Sequence, residues 1–138
     1  MRCGIIAGVS DAQPEPDPAL VDLAHQVLDW ARAGETDRLA AYVDAGVPVD
    51  LADARGNSLL MLAAYHGHAA TVRALASRGA DVDRLNDRGQ SPLAGALFKA
   101  EEEVAAALVA LGADPDHGEP SARATAAFFE RSLPEPPG

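Results

Sequence analysis

Apolar and polar residues in the middle of the chain recur at a helical spacing and predict two short helices joined by a glycine. Ser58 can cap a first helix over Leu59–His66, because a serine hydroxyl accepts a hydrogen bond from the unpaired N–H groups of a first helical turn, and Gly67 ends this helix. Alanine, valine and leucine after position 68 keep the spacing of a second helix, which ends at Gly79. The aspartate- and glycine-rich residues that follow predict a turn.

This pattern returns every 33 residues. Residues 53–85 laid over 86–118 without gaps give 11 identities in 33 positions, most of them at glycine, alanine, leucine and aspartate. Glycine also recurs at 46, 79 and 112, and aspartate at 50, 83 and 116. A period of this length indicates stacked supersecondary units that bury their apolar faces against one another. We therefore predict an all-α repeat solenoid.

The unit that starts at residue 86 keeps the pattern with different capping chemistry. Ser91 can cap its first helix, and Pro92 takes the first helical position, where no N–H is needed. Three glutamates at 101–103 open its second helix, where negative charge meets the positive end of the helix dipole. An acidic recognition patch is the alternative interpretation of these glutamates, and a solvated helix start is the preferred one.

The two ends of the repeat region depart from the period. The first unit has diverged, and its helices are predicted over about 18–33 and up to Gly46. After Gly118 the spacing shortens, and a last helix carries Phe128 and Phe129, as suits the terminal cap of a solenoid. The predicted organisation is a disordered acidic, proline-rich tail over 1–16, a repeat domain over 17–133 (units of about 19–52, 53–85 and 86–118, and a cap over 119–133), and a disordered C-terminus over 134–138.

The middle unit resembles the ankyrin repeat, whose period is also 33 residues. The residues that carry the resemblance are Asp53-x-x-Gly56-x-Ser58-x-Leu60-x-Leu62-Ala63-Ala64-x-x-Gly67-His68 and Gly79-Ala80-Asp81-Val82-Asp83. It covers roughly residues 19–118 and is weakest in the first unit. The Thr-Pro-Leu-His stretch of the family is eroded in both later units, which lack its histidine, so we expect lower stability than in the family's most regular members.

The resemblance implies a stack of helix pairs with projecting β-turn tips, a concave protein-binding surface and no catalysis. Carried over residue by residue, the predicted partner-binding positions are Arg32, Arg55, Asn57, Tyr65, His66, Leu85, Arg88, Gln90, Phe98 and Lys99. Arginine and tyrosine are the residue types that carry interface energy, and aromatic residues make up only 4% of this chain. The alternative is that Arg55 and Arg88 only decorate tight turns and that Phe98 packs inward.

Charge and composition restrict the classes of partner. The chain has 11 Lys+Arg against 21 Asp+Glu, a net charge of −10, which disfavours nucleic acid and anionic membranes and favours a monomer. The single cysteine, Cys3, implies no oxidising compartment. The first nine residues resemble a signal peptide only weakly, and the preferred interpretation is a leader or a later start at Val9. A cytoplasmic location is the prediction.

Candidate chemistry is sparse. His66 and His68 could suggest a metal, but Gly67 separates them and no third ligand is fixed nearby. Ser58 and Ser91 are predicted caps rather than nucleophiles, and the aspartates at 81, 83, 114 and 116 are predicted turn formers rather than calcium ligands. We predict no catalytic residue, no metal and no cofactor. The predicted function is a module that binds a protein, with an acidic segment of that protein as the expected contact. The alternative is an accessory or maturation subunit stably associated with an enzyme.

Overall fold

The computed structural model describes residues 18–134, which form seven α-helices. They are α1 (Pro18–Ala33), α2 (Thr36–Asp44), α3 (Leu59–Tyr65), α4 (Ala69–Ala76), α5 (Pro92–Phe98), α6 (Glu102–Ala110) and α7 (Ala122–Phe128). Within this range, the only pairing of β type is an isolated bridge between Ala52 and Ser58. The all-helical solenoid predicted from the repeat is confirmed. The predictions about the tail at 1–16, Cys3, the start at Val9 and residues 135–138 fall outside the described residues.

The helices form two rows. The first helices of successive units stack as α1, α3, α5 and α7, and the second helices stack as α2, α4 and α6. Three of the first-row helices start with the same cap: the Oγ atoms of Ser58, Ser91 and Ser121 each accept an N–H three residues later at 3.1 Å. The caps predicted at Ser58 and Ser91 are therefore confirmed, and α3 ends one residue earlier than expected, with His66 as its C-cap.

Small side chains let the two rows approach closely. Alanines such as Ala63 and Ala96 are fully buried between the layers, and leucines such as Leu60, Leu75 and Leu93 fill the remaining space. No unit buries its apolar face alone, so the core is shared along the stack.

The recurring aspartates connect neighbouring units. Asp50 Oδ1 accepts the backbone N–H of Asp81 at 3.2 Å, and Asp83 Oδ1 accepts that of Asp114 at 2.8 Å. The next aspartate in the series, Asp116, instead accepts Arg123 Nε at 2.7 Å. The 33-residue step of aspartate is thus a row of hydrogen bonds between consecutive units.

Positive backbone φ marks the ends of the helices. Gly79 and Gly112, expected to follow the second helices in a left-handed conformation, have φ of 93° and 92°. Between the paired helices the left-handed position is Gly34, then Gly67, and then Ala100, whose φ is 59°. A Cβ at Gly34 would collide with the ring of His68, and one at Gly67 with the carboxylate of Glu101. Ala100, in contrast, has a side chain at the equivalent left-handed position.

We predict that Ala100→Gly stabilises the protein. The left-handed conformation of a non-glycine residue destabilises the folded state by about 1–3 kcal/mol, and glycine removes this strain. Glycine also makes the unfolded chain more flexible, which offsets about 0.4–1 kcal/mol of the gain in stability. Thermal unfolding should show a midpoint raised by a few degrees. The control is Ala106→Gly at an exposed position inside α6, which should destabilise by about 1 kcal/mol. Similar falls in both midpoints would contradict the prediction.

Candidate functional site

An extension of α1 forms the first wall of the candidate site. Helix α1 has 16 residues, whereas α3 and α5 have seven each. Residues 20–24, which lie one 33-residue period before the turn at 53–57, are helical. The N-terminal half of α1 therefore occupies the place that a turn takes in the two units that follow.

The turns at 53–57 and 86–90 are built alike, on an acidic or amide side chain at their first residue. Asp53 Oδ1 accepts the N–H groups of Arg55 and Asn57, both at 2.9 Å. Asn86 Oδ1 accepts the N–H groups of the equivalent residues at 88 and 90, both at 3.0 Å. The shared pattern fixes both turns in one conformation and holds an exposed arginine near each tip.

Hydrogen bonds also join the two turns to each other. The N–H of Asp87 donates to the carbonyl oxygen of Arg55 at 3.0 Å, and Asn86 Nδ2 donates to Asn57 Oδ1 at 2.9 Å. One unit further, the N–H of Glu119 donates to the carbonyl oxygen of Gly89 at 2.8 Å. The tips therefore form a fixed row across the concave side of the stack.

The carboxyl of Asp53 is ionised at neutral pH. Burial of this group acts to raise its pKa, but the N–H groups of Asn57 and Arg55, the Asn57 side chain and the charge of Arg32 outweigh burial and hold the pKa below its ordinary value of 3.8. The charged form is thus the one that the folded turn favours.

Three adjoining hollows run along this side, and we call them together the groove. The first hollow, about 800 Å³, lies between α1 and the turn at 53–57; the second, about 400 Å³, lies between the two turns; the third, about 400 Å³, lies between the turn at 86–90 and α7. Arg55, Asn57 and Tyr65 line both the first and the second hollow, and Gln90 lines both the second and the third. The groove is therefore continuous from α1 to α7.

Most of the predicted partner-binding residues meet in this groove. The first hollow holds Arg32, Arg55, Asn57, Tyr65 and His66, the second adds Arg88 and Gln90, and the third adds Phe98. Lys99 places its amine 5.2 Å from the centre of the Tyr65 ring. Leu85 differs from the others, because its half-buried side chain lies against Gly118. Their role in binding stays a prediction.

Aromatic rings form a second row beside the turns. The rings of Tyr65 and Phe98 are stacked with centres 6.5 Å apart, and Phe98 meets Phe129 edge to face at 5.6 Å. The Phe98 side chain is 49% exposed, so the alternative in which it packs inward is wrong. Phe128 contacts Phe129 at 5.0 Å and is 80% exposed. The sequence interpretation placed Phe128 and Phe129 only in the cap, although the step from Tyr65 to Phe98 continues, shortened by two residues, to Phe129.

The arginines of the groove differ in what they contact. Arg32 bonds Asp29 at 2.7 Å and lies 3.5 Å from Asp53, so its charge is neutralised within the chain. Arg55 and Arg88 form no ion pair within residues 18–134. Asp87 is the carboxylate that lines the same hollow as these two arginines. The arginine charge that is not paired within the described residues of the groove thus lies at the turn tips rather than at Arg32.

His66 and His68 have different environments. Burial lowers the pKa of His66 below its ordinary value of 6.5; His68, Arg32 and Lys99 lower it further, and Glu101 opposes them. His68 Nε2 lies 2.8 Å from the carbonyl oxygen of Arg32, which makes it a contact between units. Over residues 18–134 there is no group of three or more His, Cys, Asp or Glu placed to hold a metal, and no helix long and apolar enough to cross a membrane.

Comparison with known proteins gives two matches. The model of a family described as ankyrin repeats, in three copies, matches residues 28–118. An ankyrin repeat protein of Pseudomonas aeruginosa is 48% identical over 61 residues, which is 44% of this chain and 36% of that protein. The match thus spans about a third of the relative's length. Both matches are to ankyrin-repeat sequences.

We predict that Asp53→Asn is tolerated and that Asp53→Ala is not. Asparagine keeps the acceptor that both N–H groups use, as Asn86 does in the next turn, whereas alanine leaves them unpaired at a cost of about 2 kcal/mol. Because folding lowers the pKa of Asp53, its negative charge stabilises the folded protein at pH values above the pKa of the unfolded chain. This contribution to stability is lost as the pH falls through the lower pKa of the folded state. Asp53→Asn should therefore flatten the fall of the thermal midpoint below about pH 4. Equal losses in both variants at pH 7 would contradict this account.

Proposed function

Because this chain belongs to the ankyrin-repeat family, we propose that it is a non-catalytic module that binds a partner protein through the groove. Ankyrin repeats are in general protein-interaction modules. The observation that carries the proposal is the continuous groove, in which unpaired arginines and exposed aromatic rings lie side by side. These are the side chains that dominate protein interfaces when a partner covers them.

The partner contributes an acidic segment. Two arginines without an ion pair, Arg55 and Arg88, stand against one carboxylate, Asp87, in the second hollow. The Lys99 amine adds a third positive charge 5.2 Å from the centre of the Tyr65 ring that lines the same hollow. The chain as a whole carries a net charge of −10, so its other surfaces repel acidic chains. Nucleic acids and anionic membranes meet the same repulsion. A cytoplasmic location stays a prediction.

The lining favours reversible docking over the alternative of a subunit stably associated with an enzyme. Obligate interfaces are large and strongly apolar. In the first two hollows the turn tips add polar side chains, including Asn57, Asn86 and Gln90, to the apolar part of the lining. Such a surface binds with moderate affinity and stays soluble when the partner is absent.

We predict that binding depends on Arg88 and not on Arg73. Lys99 is the only lysine of the chain, so a photoreactive group attached to its amine samples the groove and marks what binds there. With the captured partner, Arg88→Glu should weaken binding on the order of 30-fold, since a good anchor is worth about 2 kcal/mol. The loss should lie mainly in the on-rate at low salt.

The matched control for this test is Arg73→Glu on α4. Arg73 is exposed and forms no ion pair within the described range. Arg73→Glu therefore makes the same change of charge as Arg88→Glu, but in the second row of helices, away from the groove. Arg78 is unsuitable, because it bonds Asp44 at 2.9 Å and the carbonyl oxygen of Ala74 at 2.9 Å. Equal losses from Arg88→Glu and Arg73→Glu, or a loss from Arg73→Glu alone, would place the interface elsewhere.

We also predict a monomer in solution. The strongly negative net charge opposes association of identical chains. Light scattering over a concentration series up to tens of micromolar should give the mass of one chain. A dimer that persists at physiological salt would contradict the prediction.

A further inference from the structure

We propose that the third hollow is a pocket for one apolar side chain of the acidic partner segment, which makes the α7 unit a binding element as well as a cap. This inference rests on the proposed function and adds the chemistry of one half of the ligand. Helix α7 lies beyond residue 118, where the match to the family ends. The pocket is therefore a feature of this chain's C-terminal unit.

Exposed rings are the first observation that supports the pocket. Phe98 is 49% exposed, Phe129 is 37% exposed and Phe128 is 80% exposed. The three rings meet edge to face and form an open corner rather than a closed cluster. Large aromatic groups that neighbour one another at a surface mark an interaction site.

The third hollow offers few polar groups, which favours an apolar guest. The hydroxyl of Thr125 donates to the carbonyl oxygen of Ser121 at 2.9 Å and so turns no free donor to the hollow. Gln90 Oε1 accepts from Asn86 Nδ2 at 3.3 Å at the rim. The remaining walls are Pro120, Ala124 and the three rings. A polar side chain placed here would lose its hydrogen bonds to water without replacement.

Charge around the pocket indicates what flanks the apolar residue. Gln90 joins the third hollow to the second, whose tips carry Arg55 and Arg88. On the ring side, the Arg131 guanidinium lies 4.7 Å from the centre of the Phe129 ring. A guest with carboxylates beside one apolar side chain would meet Arg55 and Arg88 in the neighbouring hollow and rings within the pocket, while the Arg131 guanidinium is already bonded to the carbonyl oxygen of Leu97. The occupant is thus an extended acidic segment that carries at least one aliphatic or aromatic residue.

The test is selection from a library of random linear peptides displayed on phage, with the folded chain as bait. We expect the selected peptides to combine aspartate or glutamate with a recurrent apolar residue. A synthetic peptide of the selected sequence should bind Phe128→Ser at least about tenfold more weakly than the unmodified chain. The version of that peptide with its apolar residue replaced by serine should bind both proteins alike. Phe128 is largely exposed, so Phe128→Ser should keep its thermal midpoint.

The variants separate failure of this inference from failure of the proposed function. Peptides that lose binding to Arg88→Glu but bind Phe128→Ser normally would overturn the pocket and leave the groove as the binding surface. Peptides that are unaffected by either variant and lose binding to Arg73→Glu would overturn both. Selected peptides without an apolar residue, no selected peptide, or self-association of the chain that Phe128→Ser abolishes would also overturn the pocket.

Discussion

The hydrogen bonds between consecutive turns set the geometry of everything that lies on the concave side. The N–H of Asp87 bonds the carbonyl oxygen of Arg55, and the N–H of Glu119 bonds that of Gly89, so each turn is held against the next. Because the turns are fixed at this spacing, the first helices behind them place the Phe98 ring 6.5 Å from the Tyr65 ring and 5.6 Å from the Phe129 ring. Both rows of the groove therefore follow from one backbone constraint repeated along the stack.

The ends of the stack show what happens where that repetition stops. At the N-terminal end, α1 is long enough to occupy the position of a turn and closes the groove with a helix. At the C-terminal end of the described residues, Asp116 accepts a hydrogen bond from the Arg123 side chain, whereas Asp50 and Asp83 accept one from a backbone N–H of the next unit. The Arg131 guanidinium there donates to the carbonyl oxygen of Leu97 at 2.8 Å. At this end, arginine side chains donate to Asp116 and to the carbonyl oxygen of Leu97. Further inside the stack, backbone N–H groups of the next unit donate to carbonyl oxygens of the turns.

The periodic features were predictable from the sequence because they depend on backbone geometry that neighbouring residues determine. The caps at Ser58 and Ser91, the left-handed Gly79 and the family resemblance are all confirmed. Features that depend on which side chains meet across the stack were not predictable in this way. The pairing of Arg32 with Asp29 and Asp53 requires knowing that α1 reaches the next turn.

Selectivity in an acidic chain depends on which cations are already paired rather than on how many there are. Arg78 forms an ion pair with Asp44, and Arg123 forms one with Asp116. Arg32 is paired with two aspartates. The arginines left without an ion pair include the two at the turn tips, beside the exposed rings. For the acidic segment that we propose as the ligand, the surrounding carboxylates would be repulsive and the groove attractive, so the excess of negative charge would direct that segment to the groove.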